Sequence, residues 1–302
     1  MRAVLIALAL ALAATPALAQ ESNDAVLVDA LVVNARTPGP AWWSVSKGDA
    51  KVWVLGVGVA VPASASWDTR AFERRVKASK RVIAIPRSQT NFSRESVRAD
   101  RDWLAELTDA ERARVADVAA MAGQKVEVYG KFRPNFAGVL IKTDLESRIK
   151  PKPGPSQDLE AKARRLGAKF EFVSGQEAQA MKAGFKAGGS DNLNCVRWAI
   201  RSRDPVAMRE QRAQAWMRGD VRTLLIGPAA YDPCVQAMKT LQDALENNET
   251  AMTDAIANVL DRKEGAVAFV TLTPLLRQGG VLDRLRKRGY VVETPAQLED
   301  ED

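Results

Sequence analysis

Short runs of strand-forming residues recur along the chain between longer segments of helical pattern, and this alternation restricts the possible folds more than any other feature. Each run is too short for a stable helix and is rich in β-branched or aromatic residues. The runs lie at residues 42–46, 51–55, 81–85, 169–173, 266–272 and 290–292. Such alternation predicts an α/β fold with a mostly parallel central sheet, flanking helices, two related halves and a helix-rich insertion in the second half.

Turn and cap residues punctuate this pattern. Gly48-Asp49 separates the first two strands at the spacing of a hairpin. Thr108-x-x-Glu111 is a capping box, which predicts the start of a helix that Gly123 ends. Pro134 to Ile149 reads as a further helix, and Ser174-x-x-Glu177 is a second capping box.

Residues 1–19 have the pattern of a secretory signal peptide. Met1-Arg2 is a short positive start, Val4 to Ala14 is apolar, and Ala17-x-Ala19 is a small-residue cleavage motif. An uncleaved membrane anchor is the alternative, but the apolar run is shorter than the ~20 residues that span a bilayer. The expected product is a periplasmic or secreted protein cleaved after Ala19, with no transmembrane segment in the mature chain.

The mature chain is long enough for one large domain or two small ones. Residues 151–155 hold three prolines and one glycine and are the strongest linker pattern. We therefore predict a first half at residues 20–150 and a second half at residues 151–302. The formal charge of +7 falls to +6 without the signal peptide, and no aromatic-basic module points to nucleic acid.

The chain contains no histidine. This excludes Ser-His-Asp triads, Cys-His nucleophile pairs and every zinc site with a histidine ligand. Carboxylate chemistry remains open, either as an acid-base pair or as an oxygen-ligated Mg²⁺ or Ca²⁺ site. Asp49, Asp191 and Asp220 lie in predicted loops, and their spacing singles out none of them.

The two cysteines, Cys195 and Cys234, predict a disulfide if the protein reaches an oxidising compartment. Two buried thiols are the alternative. A catalytic cysteine is disfavoured because no histidine is present to activate it.

Several short motifs have a simple structural explanation beside a functional one. Ser44-x-x-Lys47 and Ser190-Asp191-Asn192 match two signatures of Ser-Lys hydrolases, but Lys-Thr-Gly is missing. Gly56-x-Gly58 matches only part of a dinucleotide-binding motif. A solvated helix face explains the basic run, and core packing explains the tryptophans of the first strands. The basic run is Arg284, Arg286, Lys287 and Arg288, and the tryptophans are Trp42, Trp43 and Trp53.

Three segments resemble the TraB/GumN family, which is related to the Tiki metalloproteases. Residues 40–56, PAWWSVSKGDAKVWVLG, match the family's opening hairpin and strand. Residues 215–220, AWMRGD, resemble its W-x-x-G-D segment. Residues 280–292, GVLDRLRKRGYVV, follow a predicted strand as in the family's closing motif. The resemblance implies the family's α/β fold over nearly the whole mature chain.

The family holds a metal with two Gly-x-x-His motifs, assisted by acidic residues and an arginine, and this chain departs from each of them. Val59 stands at the first histidine, and Pro274 stands at the histidine of the second motif, Gly-x-x-His-Leu-Pro-Gly. Residues 83–86 contain no glutamate after the strand, and Val173 replaces the acid of L-E-[TS]. Asn247-Asn248 stands for the family's R-N before a late helix.

These departures replace charged or metal-coordinating side chains with uncharged ones. The resemblance therefore predicts a family scaffold with no metal, no cofactor and no catalytic residues, which binds an envelope protein or a ligand. One alternative is a metal-dependent hydrolase or peptidase with a rebuilt carboxylate site. The other is an assembly module that acts through an exposed patch such as the basic run near Arg286. A polar cleft beside Val59 and Pro274 would favour the enzyme, and an apolar plug there would favour the scaffold.

Overall fold

A single six-stranded sheet forms the centre of the protein. The computed structural model describes residues 26–35, 39–59, 61, 65–86, 93–148, 155–173, 175–186, 193–201, 205–225, 233–236 and 238–298. The strands are β1 (Trp42–Lys47), β2 (Ala50–Val57), β3 (Arg81–Ala84), β4 (Lys169–Phe172), β5 (Ala266–Thr271) and β6 (Val291–Glu293). Their order across the sheet is β4-β3-β5-β2-β1-β6.

The pairing confirms the predicted α/β class with a mostly parallel sheet. Strands β4, β3, β5 and β2 run parallel to one another, while β1 is antiparallel to both β2 and β6. Strands β1 and β2 form the predicted hairpin, in which Lys47 pairs with Ala50 across the turn. Strand β5, from the predicted second half, lies between β2 and β3 from the first. The division into two halves stays a prediction.

Helices surround this sheet. In the described residues they are α1 (Arg70–Ser79), α2 (Arg94–Val97), α3 (Asp109–Ala122), α4 (Val126–Gly130), α5 (Pro134–Arg148), α6 (Pro155–Arg165), α7 (Glu177–Lys186), α8 (Asn194–Ile200), α9 (Pro205–Met217), α10 (Val221–Leu225), α11 (Pro233–Gln236), α12 (Lys239–Asp261), α13 (Leu272–Leu276) and α14 (Val281–Lys287). Helices α7 to α12 lie between β4 and β5, as predicted for a helix-rich stretch.

Local cap signals set several helix ends. Thr108 and Glu111 form the predicted capping box of α3, and Gly123 ends that helix in the left-handed conformation. The second predicted box includes Ser174, which lies outside the described residues, as do residues 151–154 of the predicted linker.

The core forms on both faces of the sheet. Register places Trp42, Leu55 and Phe269 on one face. Phe72 of α1 packs there, with ring centroids 6.4 Å from Trp42 and 6.3 Å from Phe269. The 23-residue helix α12 contacts β1, β2, β3 and β5. The β2–β3 and β4–β5 connections run in opposite directions across the sheet. The general preference for right-handed crossovers then predicts that α12 packs on the face opposite α1.

A second apolar cluster lies in the helical layer formed by α3, α4, α5 and α8, around Trp103, Tyr129 and Ile141. The predicted disulfide is present there. Cys195 of α8 and Cys234 of α11 are bonded, with their Cα atoms 4.5 Å apart. A bond that closes a loop of this length stabilises the fold by about 4 kcal/mol in the chain-entropy model.

The structure bears only in part on the predicted signal peptide and on membrane-spanning segments. Residues 1–25, which include the predicted signal peptide, lie outside the described residues. Among the described helices, none is both long enough and apolar enough to cross a lipid bilayer.

Candidate functional site

The carboxyl ends of the four parallel strands meet at one edge of the sheet, where α/β proteins commonly bind ligands. We call the described residues that follow these strands the carboxyl edge; they are residues 58, 59, 61, 85, 86, 173, 175–177 and 272–278. Backbone contacts bring them together. The Val173 N–H donates to the Ala84 carbonyl over 3.0 Å, and Gly58 lies against Thr271. The predicted positions Val59, Val173 and Pro274 therefore share one edge.

Apolar packing closes this edge at the end of β2. Val59 and Val61 are each 4% exposed, and Leu272 is 6% exposed. All three belong to the main core cluster. A Cβ on Gly56 would approach the Leu272 side chain to 2.5 Å, so no residue larger than glycine fits there without movement. Val59, the position that the resemblance assigns to the first motif histidine, is therefore part of the core.

A tryptophan of α9, from the predicted second half, completes the closure. Trp216 of α9 is buried, and its indole N–H donates to the Gly56 carbonyl over 2.8 Å. Its ring meets the Trp67 ring edge-on at 5.3 Å. Gly219, with φ 65°, lets the following turn approach Ala35 closely. The A-W-M-R-G-D segment thus covers the end of β2.

The first described segment of the chain covers the turn after β5. Leu27 forms an antiparallel bridge with Arg277. The Gln278 N–H donates to the Val26 carbonyl over 2.7 Å, and the Val28 N–H donates to the Leu276 carbonyl over 3.0 Å. Pro274, in α13 just before this contact, is half-buried.

Two polar pairs remain beside the apolar packing. Glu177, at the start of α7, accepts a hydrogen bond of 2.5 Å from the Asn248 amide of α12. Asn248 is 2% exposed, and its Oδ1 has no hydrogen-bond partner among the described residues. Burial raises the pKa of the Glu177 carboxyl, and the hydrogen bond from Asn248 opposes the shift.

The second pair is a buried ion pair. Glu249 is 2% exposed and accepts two hydrogen bonds from the Arg277 guanidinium, one of them 2.9 Å long at Nε. The Arg284 guanidinium lies 3.9 Å away. Burial raises the pKa of Glu249, and Arg277 opposes that shift. In the Gly-x-x-His-Leu-Pro-Gly pattern Arg277 stands at the last glycine. The carboxylate is thus held by a cation from this chain.

The sequence patterns did not predict that Glu177, Glu249 and Arg277 belong to the two polar pairs at this edge. A signal for Glu249 was present, because the apolar stripe of α12 at Met252, Ile256 and Val259 extends back by three or four residues to positions 248 and 249. The prediction for Asn247-Asn248 was wrong in one respect. These residues lie inside α12 rather than before a helix, and Asn247 is exposed while Asn248 is buried.

The donor set at the carboxyl edge does not fit the family's metal. Val59, Pro274 and Val173 carry no side-chain lone pair, and Ile85-Pro86 follows β3 without a carboxylate. Within the described ranges, no group of three or more Asp, Glu or Cys side chains is placed to hold a metal ion.

Of the three alternative carboxylates, the two that the structure describes do not converge. Asp49 is exposed in the β1–β2 turn, at the opposite edge of the sheet. Asp220 caps α10 by accepting from the Thr223 N–H over 3.1 Å. Burial would raise the pKa of Asp220, but the hydrogen bonds from Thr223 and Asn34 and the charge of Arg218 lower it overall. Asp191 lies outside the described residues.

The Ser-Lys motif is excluded by its place in a strand. Ser44 donates to a Glu293 carboxylate oxygen over 2.6 Å, whereas Lys47 contacts Asp261 at 2.8 Å. Residues three apart in a strand point to opposite faces, so the two side chains do not meet. Among the described residues, the first helix after Gly56-x-Gly58 begins at Arg70, which does not fit the dinucleotide motif.

Two arginines of the basic run and the tryptophans of the first strands make contacts within the protein. Arg288 pairs with Asp254 at 2.6 Å, and Arg284 pairs with Glu246 at 3.6 Å. Both acids lie on α12. Trp42 and Trp43 are buried, and the indole of Trp43 donates to the Leu31 carbonyl. Trp53 is half-buried under the Arg75 guanidinium, 4.0 Å from its ring centroid.

Comparison with known proteins agrees with this architecture. The model of the TraB/PrgY/gumN family matches residues 41–294, which include every strand and the carboxyl edge. No individual curated protein and no solved structure matches the chain significantly. Because the family model covers most of the chain, the protein belongs to the TraB/PrgY/gumN family.

Proposed function

We propose that the protein is a non-catalytic member of this family that acts by binding an envelope protein or a ligand. The observation that carries the proposal is the burial of Val59, which stands at the first motif histidine and packs in the core at 4% exposure. A valine there offers no side-chain ligand to a metal. Trp216 and Leu272, which both contact Gly56, belong to the same core cluster as Val59.

The buried polar residues agree with a closed site. A lone buried carboxylate costs several kcal/mol unless it is paired. Glu249 is paired with Arg277, so its charge is neutralised within the protein. The pair therefore leaves no uncompensated charge on Glu249 for a metal to neutralise.

We further propose that the chain works outside the cytoplasm. The Cys195–Cys234 disulfide supports this location, because such bonds persist in oxidising compartments. The signal-peptide pattern of residues 1–19 points to the same export route.

One observation favours the enzyme alternative. Glu177 is a carboxyl with a raised pKa beside a buried amide, an arrangement that suits a general acid. Peptide hydrolysis by the purified protein, with Mn²⁺, Co²⁺ or Zn²⁺ added, separates the two functions. The non-catalytic proposal predicts the same background rate for the native protein and for Glu177→Gln. Hydrolysis by the native protein that Glu177→Gln abolishes would establish the enzyme.

A further inference from the structure

The opposite edge of the sheet concentrates positive charge. The described segments that lead into the parallel strands and into β6 form what we call the amino edge. They are residues 47–51, 77–81, 164–169, 261–264 and 286–290. They hold thirteen lysines and arginines and three acids, a net charge of +10, whereas the whole chain carries +7. The remainder of the chain is therefore slightly acidic.

Ion pairing and helix dipoles do not cancel this charge. Within the described ranges, three further acids from outside these segments pair with cations of the amino edge: Asp254, Asp283 and Glu293. Including them leaves +7. Four helices, α1, α6, α12 and α14, end here, and each C-terminus contributes about half a negative charge. An excess of roughly +5 remains.

Two of these lysines occupy backbone positions that favour glycine. Lys80 follows α1 with φ 53°, and Lys263 follows α12 with φ 59°. They are the described residues other than glycine with positive φ. The left-handed conformation costs an L-residue about 1–2 kcal/mol. At the matching junction before β4, the chain uses Gly167 with φ 84°. Strain of this kind at two neighbouring junctions points to a use for the charge.

The amino edge has the form of a broad cationic surface. With strands about 4.8 Å apart, the six strands spread the cations over roughly 24 Å. Its one described aromatic residue, Tyr290, donates its hydroxyl to Asp261 and is half-buried. Single-stranded nucleic acid is bound in grooves with exposed aromatic rings, which the described part of this edge lacks. Scattered lysines suit a plane of phosphate headgroups, where each contributes about 1 kcal/mol.

We propose that the amino edge docks the protein on an anionic phospholipid surface, with the carboxyl edge turned away from it. Adsorption is electrostatic and peripheral, so it weakens as salt shortens the Debye length. This inference is independent of whether the protein has catalytic activity.

Vesicle co-sedimentation of the purified full chain tests the proposal. Vesicles of phosphatidylcholine with phosphatidylglycerol are compared with pure phosphatidylcholine vesicles at low and high salt. The edge variant combines four charge-removing substitutions, and the control variant removes four exposed cations elsewhere. The edge variant is Lys80→Gly, Lys263→Gly, Arg165→Gln and Lys169→Gln. The control is Lys125→Gln, Lys131→Gln, Lys182→Gln and Arg222→Gln. Thermal melts show that both variants are folded.

The native protein is expected to bind the anionic vesicles at low salt, to leave them at high salt and to ignore neutral vesicles. The edge variant should bind at least about tenfold more weakly, while the control variant keeps native-like binding. Equal losses in both variants would mean that net charge, and not this surface, is responsible. That result would overturn the proposal, as would failure of the native protein to bind, or binding to an acidic protein or DNA in place of vesicles.

Discussion

The two edges of the same sheet differ in charge and in packing. At the carboxyl edge, the described segments hold one cation, Arg277, and one acid, Glu177, and Val59 and Leu272 pack in the core. At the amino edge, the described segments are mostly exposed and carry a net charge of +10. An enzyme of this architecture would hold its polar groups at the carboxyl edge. Here the larger charged surface lies at the other edge, which agrees with the binding role proposed above.

The largest expected effect comes from breaking the buried ion pair of the carboxyl edge. Arg277→Met removes the cation that donates two hydrogen bonds to the buried Glu249 carboxylate and leaves only Arg284, 3.9 Å away. The free energy of unfolding should fall by up to about 3–5 kcal/mol. Urea denaturation measures the loss. Combining Arg277→Met with Glu249→Gln should recover part of it.

Arg286→Met at the amino edge is the matched control. Arg286 is exposed, so its substitution should change the free energy of unfolding by less than about 0.5 kcal/mol. If the two arginine variants were equally stable, the carboxyl edge would not depend on a buried ion pair, and the proposed difference between the two edges would be contradicted.

A smaller effect tests the apolar packing around Val59. Val59→Thr keeps the shape of the side chain but buries a hydroxyl among apolar neighbours, at a cost of about 1–3 kcal/mol. Val291→Thr on β6 is the control, because Val291 is 59% exposed and should tolerate the change. A Val59→Thr protein as stable as the native one would indicate a hydrated, open site.

At the amino edge, removal of charge should not weaken the fold. Lys80→Gly and Lys263→Gly relieve left-handed strain at the ends of α1 and α12. Each variant should be as stable as the native protein or gain up to about 1 kcal/mol, since glycine also loses more entropy on folding. Thermal melts measure this. A clear loss of stability would assign these lysines a structural role and remove part of the argument for docking.

The smallest effect concerns pH. The folded-state pKa of Glu177 is raised by burial, so its contribution to stability is fully present below the unfolded pKa and is lost as pH rises through the folded value. The native protein should therefore lose stability relative to Glu177→Gln between acidic and neutral pH. Glu249 shifts in the same direction in both proteins, so the comparison isolates Glu177. A pH-independent difference would show that Glu177 is solvated.

Much of the fold was predictable because it follows local signals. The β1–β2 hairpin, the capping box of α3 and the strand at Ala266–Thr271 each combine apolar pattern with a turn or cap residue. The pairing of Cys195 with Cys234 followed from there being two cysteines. The order of strands did not follow, because β5 enters between β2 and β3 through contacts distant in sequence.

From the sequence, the site could be predicted only as the loss of the family's metal-binding side chains. Val59, Val173 and Pro274 could be recognised by position, but their replacement partners could not. The pairing of Glu249 with Arg277 joins residues 28 positions apart in different helical segments, and neither residue is unusual in sequence. The charge of the amino edge is also hidden in the sequence, since its five segments come together only when the strands pair.

Metal content tests the closure of the carboxyl edge most directly. The tag-free protein is dialysed against metal-free buffer and its metals are counted by elemental mass spectrometry. A closed edge with Val59 and Pro274 at the histidine positions predicts metal far below one equivalent. Near-stoichiometric metal would contradict the account, and the ligands would then be sought first among Glu177, Glu249 and the oxygen of Asn248.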